Sequence, residues 1–179
     1  MNIFVLDDDP FVAASMMDCQ RVPKMCVETA QMMACAVLRH GATEEQMPLT
    51  KSGTPYRGGY GRHPCSVWAG DSRDNFAWLT KHGIQLCREY KQRFGKTHAC
   101  HQAIIKMGLL GQVLVPEGDM TPFAQAMPDE YKHDDAVIAY RRYYKSKDNV
   151  HYRHTEAPDW FVRGSATPQA CQNPLFNIN

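Results

Sequence analysis

The chain has 179 residues, of which 44% are apolar and 22% charged, and its net charge is +1. This length and composition indicate one globular domain and exclude a disordered chain or a coiled coil. No apolar run reaches the roughly 20 residues of a membrane span, and the N-terminus lacks a signal-peptide pattern, so we expect a cytoplasmic protein that does not contact membranes. Seven cysteines without a Cys-x-x-Cys pair are typical of reduced thiols in a cytosol.

The charges are distributed unevenly along the chain. Residues 51–106 contain ten Lys/Arg and three Asp/Glu, a net charge of +7, and residues 140–179 contain six and three, a net charge of +3. The two remaining blocks are acidic. Basic blocks of this size attract a polyanion. The alternative is that the acidic and basic blocks pair with each other within the fold.

In chain order, the sequence predicts a mostly α fold with long loops. Residues 2–6 are expected to form a short strand or extended segment. A helical pattern follows from Pro10 to about residue 40, and Pro23 kinks it or starts a new helix because proline lacks the amide hydrogen. Further helices are predicted at about 71–94, 97–107 and 134–147, with loops at 41–63 and 108–133 and a turn near 157–163. We expect one domain over residues 1–163 and a loosely attached tail over 164–179.

The helix after Pro23 has a narrow charged stripe on an otherwise apolar surface. Apolar residues cover about three quarters of its circumference, so we expect it to contact several neighbours at the centre of the fold. A charged stripe on a buried helix indicates the lining of a cleft. The alternative is a solvent-facing stripe with one weak Lys24–Glu28 pair. The stripe consists of Arg21, Lys24, Glu28, Gln31 and Arg39.

A glycine-rich loop precedes the Arg62-His63-Pro64 sequence. Binding groups concentrate on loops that a scaffold holds in place, and glycines let the backbone approach a phosphate closely. The loop is not a P-loop, because no Gly-Lys-Ser/Thr sequence follows. His63 is therefore a candidate functional residue, although it could be only a helix cap. The expected nucleic-acid ligands are Arg21 of the charged stripe and, in and after this loop, Arg57, Arg62, Arg73 and Asn75.

Histidine and cysteine lie close together in the sequence at His98, Cys100 and His101. A zinc site needs a fourth ligand and usually a second paired motif, and neither is visible in the sequence. We therefore expect no metal and no cofactor.

A segment rich in tyrosine and basic residues runs from Tyr140 to Lys145. Arginine and lysine contact phosphates and tyrosine stacks on bases, so the segment predicts a DNA interface. The alternative is a helix with tyrosines in the core and arginines in water. The expected DNA ligands are Arg141, Arg142, Tyr144 and Lys145, whereas the oligomeric state stays open.

Together these features resemble phage-encoded proteins distantly related to the endonuclease V type of pyrimidine-dimer DNA glycosylase. The resemblance covers about residues 1–147. It lies in the extended N-terminus, the Arg21-Val22-Pro23-Lys24 sequence, the loop with its histidine, the long helix through Asn75 and the Tyr/Lys-rich segment. It implies a compact helical fold that binds DNA across a basic concave face and an N-glycosylase that acts on pyrimidine nucleotides.

The chain departs from that family where the family's chemistry takes place. In the family, the α-amine of the second residue attacks the sugar after removal of the initiator methionine. Here the second residue is Asn2, and removal of Met1 generally needs a small second residue, so we expect Met1 to be retained. The family's glutamate before its Leu-Pro pair falls at Arg21, which cannot replace a carboxylate.

We therefore predict that the chemistry is centred on Glu28, Lys24 and His63 rather than on the N-terminus. Neighbouring cations favour a charged carboxylate at Glu28, which suits charge stabilisation or positioning of a nucleophile. Histidine titrates near neutrality, so His63 could supply or accept a proton. Two alternatives to a glycosylase stay open: a transferase of phage thymine hypermodification acting on 5-substituted pyrimidines in DNA, and a non-catalytic phage factor that binds DNA or protein.

Overall fold

A computed structural model describes residues 1–153 and 155–161 of the protein. Over these residues the fold is helical with no β-strand, which confirms the mostly α prediction. The predicted tail at 164–179 lies outside the described residues. No helix in the described part is long and apolar enough to cross a membrane. The helices are α1 (Pro10–Ser15), α2 (Arg21–Arg39), α3 (Pro64–Ala69), α4 (Arg73–Phe94), α5 (His101–Leu114) and α6 (Ala136–Lys145), with short 3-10 turns at Glu44–Gln46 and Asp129–Tyr131.

The first helical pattern breaks before Pro23, at residues 16–20. Pro23 lies in the first turn of α2, where its missing N–H would have no helical partner. The break is made by Asp18, whose Oδ1 accepts the Gln20 N–H at 2.9 Å and whose carbonyl accepts the Arg21 N–H at 3.2 Å. The aspartate therefore turns the chain, and the proline is only tolerated at the start of the next helix.

Helix α2 lies at the centre of the fold, as predicted. It packs against α3, α4 and α5, and most of its residues are buried. Glycines allow the closest approaches between helices. A Cβ at Gly83 of α4 would lie 2.5 Å from Thr29 Cγ2, and a Cβ at Gly111 of α5 would lie 2.0 Å from the Phe76 ring. Side chains at these two positions would force the helices apart.

The N-terminal segment is buried but is not a strand. Ile3, Val5 and Leu6 are fully buried, and Phe4 has a φ of 37°, which interrupts an extended run. Side chains replace the missing strand partner: Asn2 Oδ1 accepts the N–H groups of Ile3 and Phe4 at 2.8 and 3.0 Å. The segment is thus held in the core by capping contacts, which period-two patterning cannot reveal.

Among the described residues, one core histidine has no hydrogen-bond partner. His82 of α4 is fully buried, both of its ring nitrogens are unpaired within the described residues, and its ring stacks on Trp78 at 4.9 Å. Burial lowers the pKa of His82 to about 3. The ring is therefore neutral in the folded protein at physiological pH.

Candidate active site and nucleic-acid interface

Glu28 of α2 carries a buried carboxylate that faces the N-terminus. Its Oε2 accepts the Asn2 backbone N–H at 2.8 Å and lies 3.8 Å from the amine of Met1. Its Oε1 lies 3.5 Å from Lys24 Nζ, one helical turn earlier. The side chain of Glu28 is 10% exposed and that of Lys24 is 70% exposed. A nearly buried carboxylate thus faces two amines, one of which extends into solvent.

His63 caps helix α3 and lies near the same group. Its Nδ1 accepts the Cys65 N–H at 3.2 Å. Burial and the positive charge of the Met1 amine lower the pKa of His63, and the charge of Glu28 opposes them. The ring is therefore mostly neutral at pH 7. Because Nδ1 accepts a hydrogen bond, Nε2 carries the proton, so His63 acts first as a hydrogen-bond donor.

The structure thus groups Glu28, Lys24 and the amine of Met1, and His63 lies close enough to Glu28 and that amine to interact electrostatically with both. Residue 2 and the residue before Val22-Pro23 depart from the family pattern, and for that reason the N-terminus was not predicted to belong to this group. The fold places a carboxylate beside the amine from a different position on α2. The buried extended segment was the available signal, because it leads the N-terminus into the core.

The rest of the charged stripe has other partners. Arg21 pairs with buried Asp18, with Nη1 2.7 Å from Oδ2, and its guanidinium lies 5.0 Å from the centre of the Tyr144 ring. This half-buried residue connects α2 to α6, so its predicted contact with DNA has to compete with structural contacts. Arg39 pairs with Asp71 at 3.0 Å on the surface.

The glycine-rich loop packs directly on α2. At Gly58, φ is +73° and a Cβ would lie 2.6 Å from Cys35 Sγ, so only glycine fits without displacing the helix. Cys35 also donates to the Gly59 carbonyl at 3.3 Å. An open cleft of about 490 Å³ lies between this loop, the C-terminal half of α2 and α3. Its lining includes Cys35, Arg39, Arg57, Tyr60 and Ser66.

This loop exposes the ring of Tyr60, which lies between Arg57 and Arg62 in the sequence. Tyr60 is 77% exposed and has a φ of 57°, a conformation that side-chain-bearing residues rarely adopt. Arg57 and Arg62 are also exposed, and Arg57 is 3.0 Å from exposed Glu44. We call residues 57–62 the DNA loop, because Arg57 and Arg62 are among the predicted nucleic-acid ligands. Tyr60 lies in the predicted binding loop at 57–63, but its ring was not among the expected nucleic-acid ligands.

Helix α6 corrects the expectation for Tyr144. Its ring is fully buried, its hydroxyl donates to Asp18 Oδ2, and the same hydroxyl accepts the Asp18 N–H at 2.9 Å. It therefore has no face to offer a base. Arg141 donates from Nε to the Leu6 carbonyl at 2.8 Å, whereas Arg142 and Lys145 are exposed.

A second correction concerns the start of α4. Asn75 is fully buried and donates from Nδ2 to the Trp68 carbonyl at 2.8 Å, while its Oδ1 accepts the Thr121 N–H at 2.9 Å. It connects α3, α4 and the segment after α5, and its predicted contact with DNA would require these buried contacts to open. Arg73 is half-buried, with Nη1 2.8 Å from Glu117 and Nε donating to a backbone carbonyl at 3.3 Å.

A buried carboxylate beside amines, next to a loop of exposed cations, defines a site suited to chemistry on a polyanion. The profile of the pyrimidine dimer DNA glycosylase family matches residues 1–102, more than half of the chain. The chain therefore belongs to the pyrimidine dimer DNA glycosylase family, which makes DNA its partner at family level. The matched region contains Glu28, Lys24, His63 and the DNA loop. Comparison with curated proteins gives no match, and neither does comparison with solved structures.

Proposed function

We propose that the protein is a DNA N-glycosylase that releases a pyrimidine base, with Glu28 at the centre of its active site. The proposal rests on one observation: the Glu28 carboxylate lies 3.8 Å from the Met1 amine and 3.5 Å from Lys24 Nζ. Cleavage of a glycosidic bond builds positive charge on the sugar, and a nearby carboxylate stabilises that charge. Membership of the glycosylase family supports the same reaction.

The amine and the carboxylate allow two routes. In the first, a neutral amine attacks C1′, the bond from C1′ to the base breaks, and the base leaves with the electron pair and takes up a proton. Loss of the amine's protons and opening of the sugar ring then give an imine, which water hydrolyses. In the second, Glu28 accepts a proton from water as the water oxygen bonds to C1′ and the bond from C1′ to the base breaks, and the base leaves with the electron pair and takes up a proton. Only the first route has a covalent intermediate.

The remaining residues bind and orient the DNA. Arg57 and Arg62 of the DNA loop would contact phosphates, and the exposed ring of Tyr60 would stack on a base that has left the helix. His63 would donate from Nε2 to a phosphate or to the departing base. On α6, Arg142 and Lys145 offer a second, smaller phosphate-binding surface.

The test is formation of an abasic site, detected as alkali-labile strand cleavage, in duplex oligonucleotides carrying one pyrimidine dimer or one 5-substituted pyrimidine, with an unmodified duplex beside them. Glu28→Gln is nearly isosteric and removes the charge. It should lower the rate by at least about a hundredfold while DNA binding is retained. Glu45→Gln removes an exposed carboxylate outside the site and should leave the rate unchanged.

Full turnover by Glu28→Gln would overturn the assignment of the site. A mass change in the nucleoside without base release would support the transferase alternative, and binding without either change would support the non-catalytic one. Borohydride trapping separates the two routes, because it reduces an imine to a stable adduct. Peptide mapping of that adduct assigns the amine to Met1 or Lys24, and Lys24→Gln and a one-residue N-terminal extension check the assignment.

A further inference from the structure

Two thiols and an imidazole meet in the core on the side of α2 that faces away from Glu28. Cys26 of α2 and Cys87 of α4 are 0% and 2% exposed, and their sulfurs lie 3.7 Å apart. His98, in the loop between α4 and α5, places a ring nitrogen in the same group, in which all ligand atoms lie within 4.8 Å of one another. Two residues along a helix correspond to a rotation of about 200°, so Cys26 and Glu28 point in different directions.

The spacing of the two sulfurs fits a shared metal ion. Two thiolates each about 2.3 Å from a tetrahedral zinc ion lie about 3.8 Å apart. A disulfide needs sulfurs about 2.05 Å apart, so the pair would have to move to form one. Thiolate and imidazole together select zinc over magnesium or calcium, which prefer oxygen ligands.

Cys100, two residues after His98, is not one of the three ligand atoms that lie within 4.8 Å of one another, but its thiol is the additional thiol beside that group. Cys100 is 6% exposed, and its thiol is close enough to Cys26 and Cys87 to interact electrostatically with both. The hydroxyl of Tyr56 donates to Cys100 Sγ at 3.6 Å. A hydrogen bond of this kind is typical of the groups that orient metal-bound thiolates.

The surroundings of His98 also fit a metal ligand. Burial lowers the pKa of His98, and the Pro23 carbonyl lies close enough to the ring to oppose that shift. Because Nδ1 accepts the Cys100 N–H at 3.2 Å, Nε2 is the nitrogen that carries the proton in the neutral ring. Nδ1 therefore carries the lone pair that can bind an ion. Because that lone pair accepts the Cys100 N–H in this structure, metal binding would break this hydrogen bond. Metal-bound histidines commonly donate their other N–H to a backbone carbonyl.

We propose that Cys26, Cys87, His98 and Cys100 bind one Zn²⁺ in a closed tetrahedral site with a structural role. The ion would replace the protons of three thiols and crosslink α2, α4 and the loop before α5. The site is separate from the Glu28 group, and neither the family match nor the proposed glycosylase reaction requires it. The His98, Cys100 and His101 cluster in the sequence contributes two of the four ligands.

Elemental analysis of protein produced with added zinc tests the site directly. The full-length chain should retain about one zinc ion per molecule after extensive dialysis. Cys26→Ser and Cys87→Ser should each lower this to less than about a tenth. Cys19→Ser is the matched control, because Cys19 is also buried but contacts the Arg153 backbone. That variant should retain the ion.

Cobalt substitution gives a second measurement that does not depend on enzyme activity. Co²⁺ added to the metal-free protein should give the intense visible and near-ultraviolet bands of tetrahedral thiolate coordination, and Zn²⁺ should remove them. Cys100→Ser should weaken these bands relative to the protein without the substitution. Less than about a tenth of a zinc ion per chain together with no cobalt bands would overturn the proposal, as would a Cys26–Cys87 disulfide in the freshly purified protein.

Discussion

The DNA loop and helix α6 are both rich in tyrosine and arginine, but they use these side chains in opposite ways. The loop exposes Tyr60, which is 77% exposed, whereas α6 buries Tyr140 and Tyr144 completely. Arg62 of the loop extends into solvent, whereas Arg141 of α6 holds the Leu6 carbonyl in place. The loop therefore offers its rings and charges to a ligand, and α6 uses most of them to anchor the N-terminal segment.

The difference follows from what each segment can bury. Helix α6 places residues four apart on one face, so Tyr140 and Tyr144 enter the core together, and Phe4 packs against both rings. The DNA loop contacts α2 through Gly58, which has no side chain to bury. The side chains of Arg57, Tyr60 and Arg62 in the same loop are exposed. Amino-acid composition alone therefore does not distinguish a binding surface from an anchor. The backbone conformation does, because it decides which side chains enter the core.

The largest expected effect is on stability, from Tyr144→Ala. Removal of this buried ring should lower the free energy of unfolding by about 3–5 kcal/mol, because it leaves a cavity and removes a partner of Asp18. Urea denaturation measures the change, with Tyr143→Ala as a half-buried control that should cost less. Unchanged stability with weaker DNA binding would place Tyr144 at the interface and break the comparison.

Tyr60→Ala should weaken binding of single-stranded DNA by about 1–3 kcal/mol and leave the stability unchanged, because base stacking contributes that much per aromatic ring. Fluorescence anisotropy with a labelled oligonucleotide measures the affinity. Tyr60→Phe retains the ring and should bind like the unmodified protein. Equal affinity of all three proteins would show that the exposed ring does not contact DNA.

The Arg57→Ala/Arg62→Ala double variant should flatten the slope of log K against log salt by about one unit per lost contact, that is, by about two units. Stability should change little, because the exposed Arg57–Glu44 pair contributes less than about 1 kcal/mol. Titrations at several salt concentrations measure the slope. Replacement of both residues by lysine keeps the charge and should retain most of it. A slope that is unchanged in the alanine variant would remove the DNA loop from the interface.

The smallest effects distinguish two neighbours on α6. Arg142→Ala should flatten the salt slope by up to about one unit without destabilising the fold. Arg141→Ala should leave the slope unchanged and lower the free energy of unfolding by about 1 kcal/mol, because the Leu6 carbonyl loses its partner. The two measurements are those described above, applied to both variants. A reversal of the two outcomes would show that α6 binds DNA through Arg141 and not through Arg142.

Much of the fold could be predicted from the sequence. The helix that contains Asn75 ends at Gly95, which has a φ of +68°, as its glycine cap predicts. Asp135 caps α6, and Asp9 caps α1. These signals are local, because each cap contacts a backbone group within four residues. The break at residues 16–20 was missed because Asp18 turns the chain with side-chain contacts that periodicity does not show.

The candidate site was only partly predictable, because its members meet through long-range contacts. Lys24 and Glu28 share a helix face, so spacing alone pairs them. The approach of the Met1 amine to Glu28 depends on the buried segment that follows it. The burial of Asn75 could not be predicted either, because a polar residue in the first turn of a helix is compatible with both an exposed and a buried position.

A buried imidazole that has no hydrogen-bond partner in the described part of the chain makes the stability of this protein depend on proton uptake. The pKa of His82 is lowered to about 3 by burial, whereas an unfolded histidine titrates at 6.5. Below about pH 6.5 the unfolded chain binds a proton that the folded chain does not, so acid favours unfolding by up to about 1.4 kcal/mol per pH unit. His82→Phe keeps the stack on Trp78 and should flatten the dependence of unfolding free energy on pH between about pH 6.5 and 4. A parallel decline in both proteins would assign the acid sensitivity to other groups. Helix α4, which contains His82 and packs on α2, therefore limits how far the pH can fall before the protein unfolds.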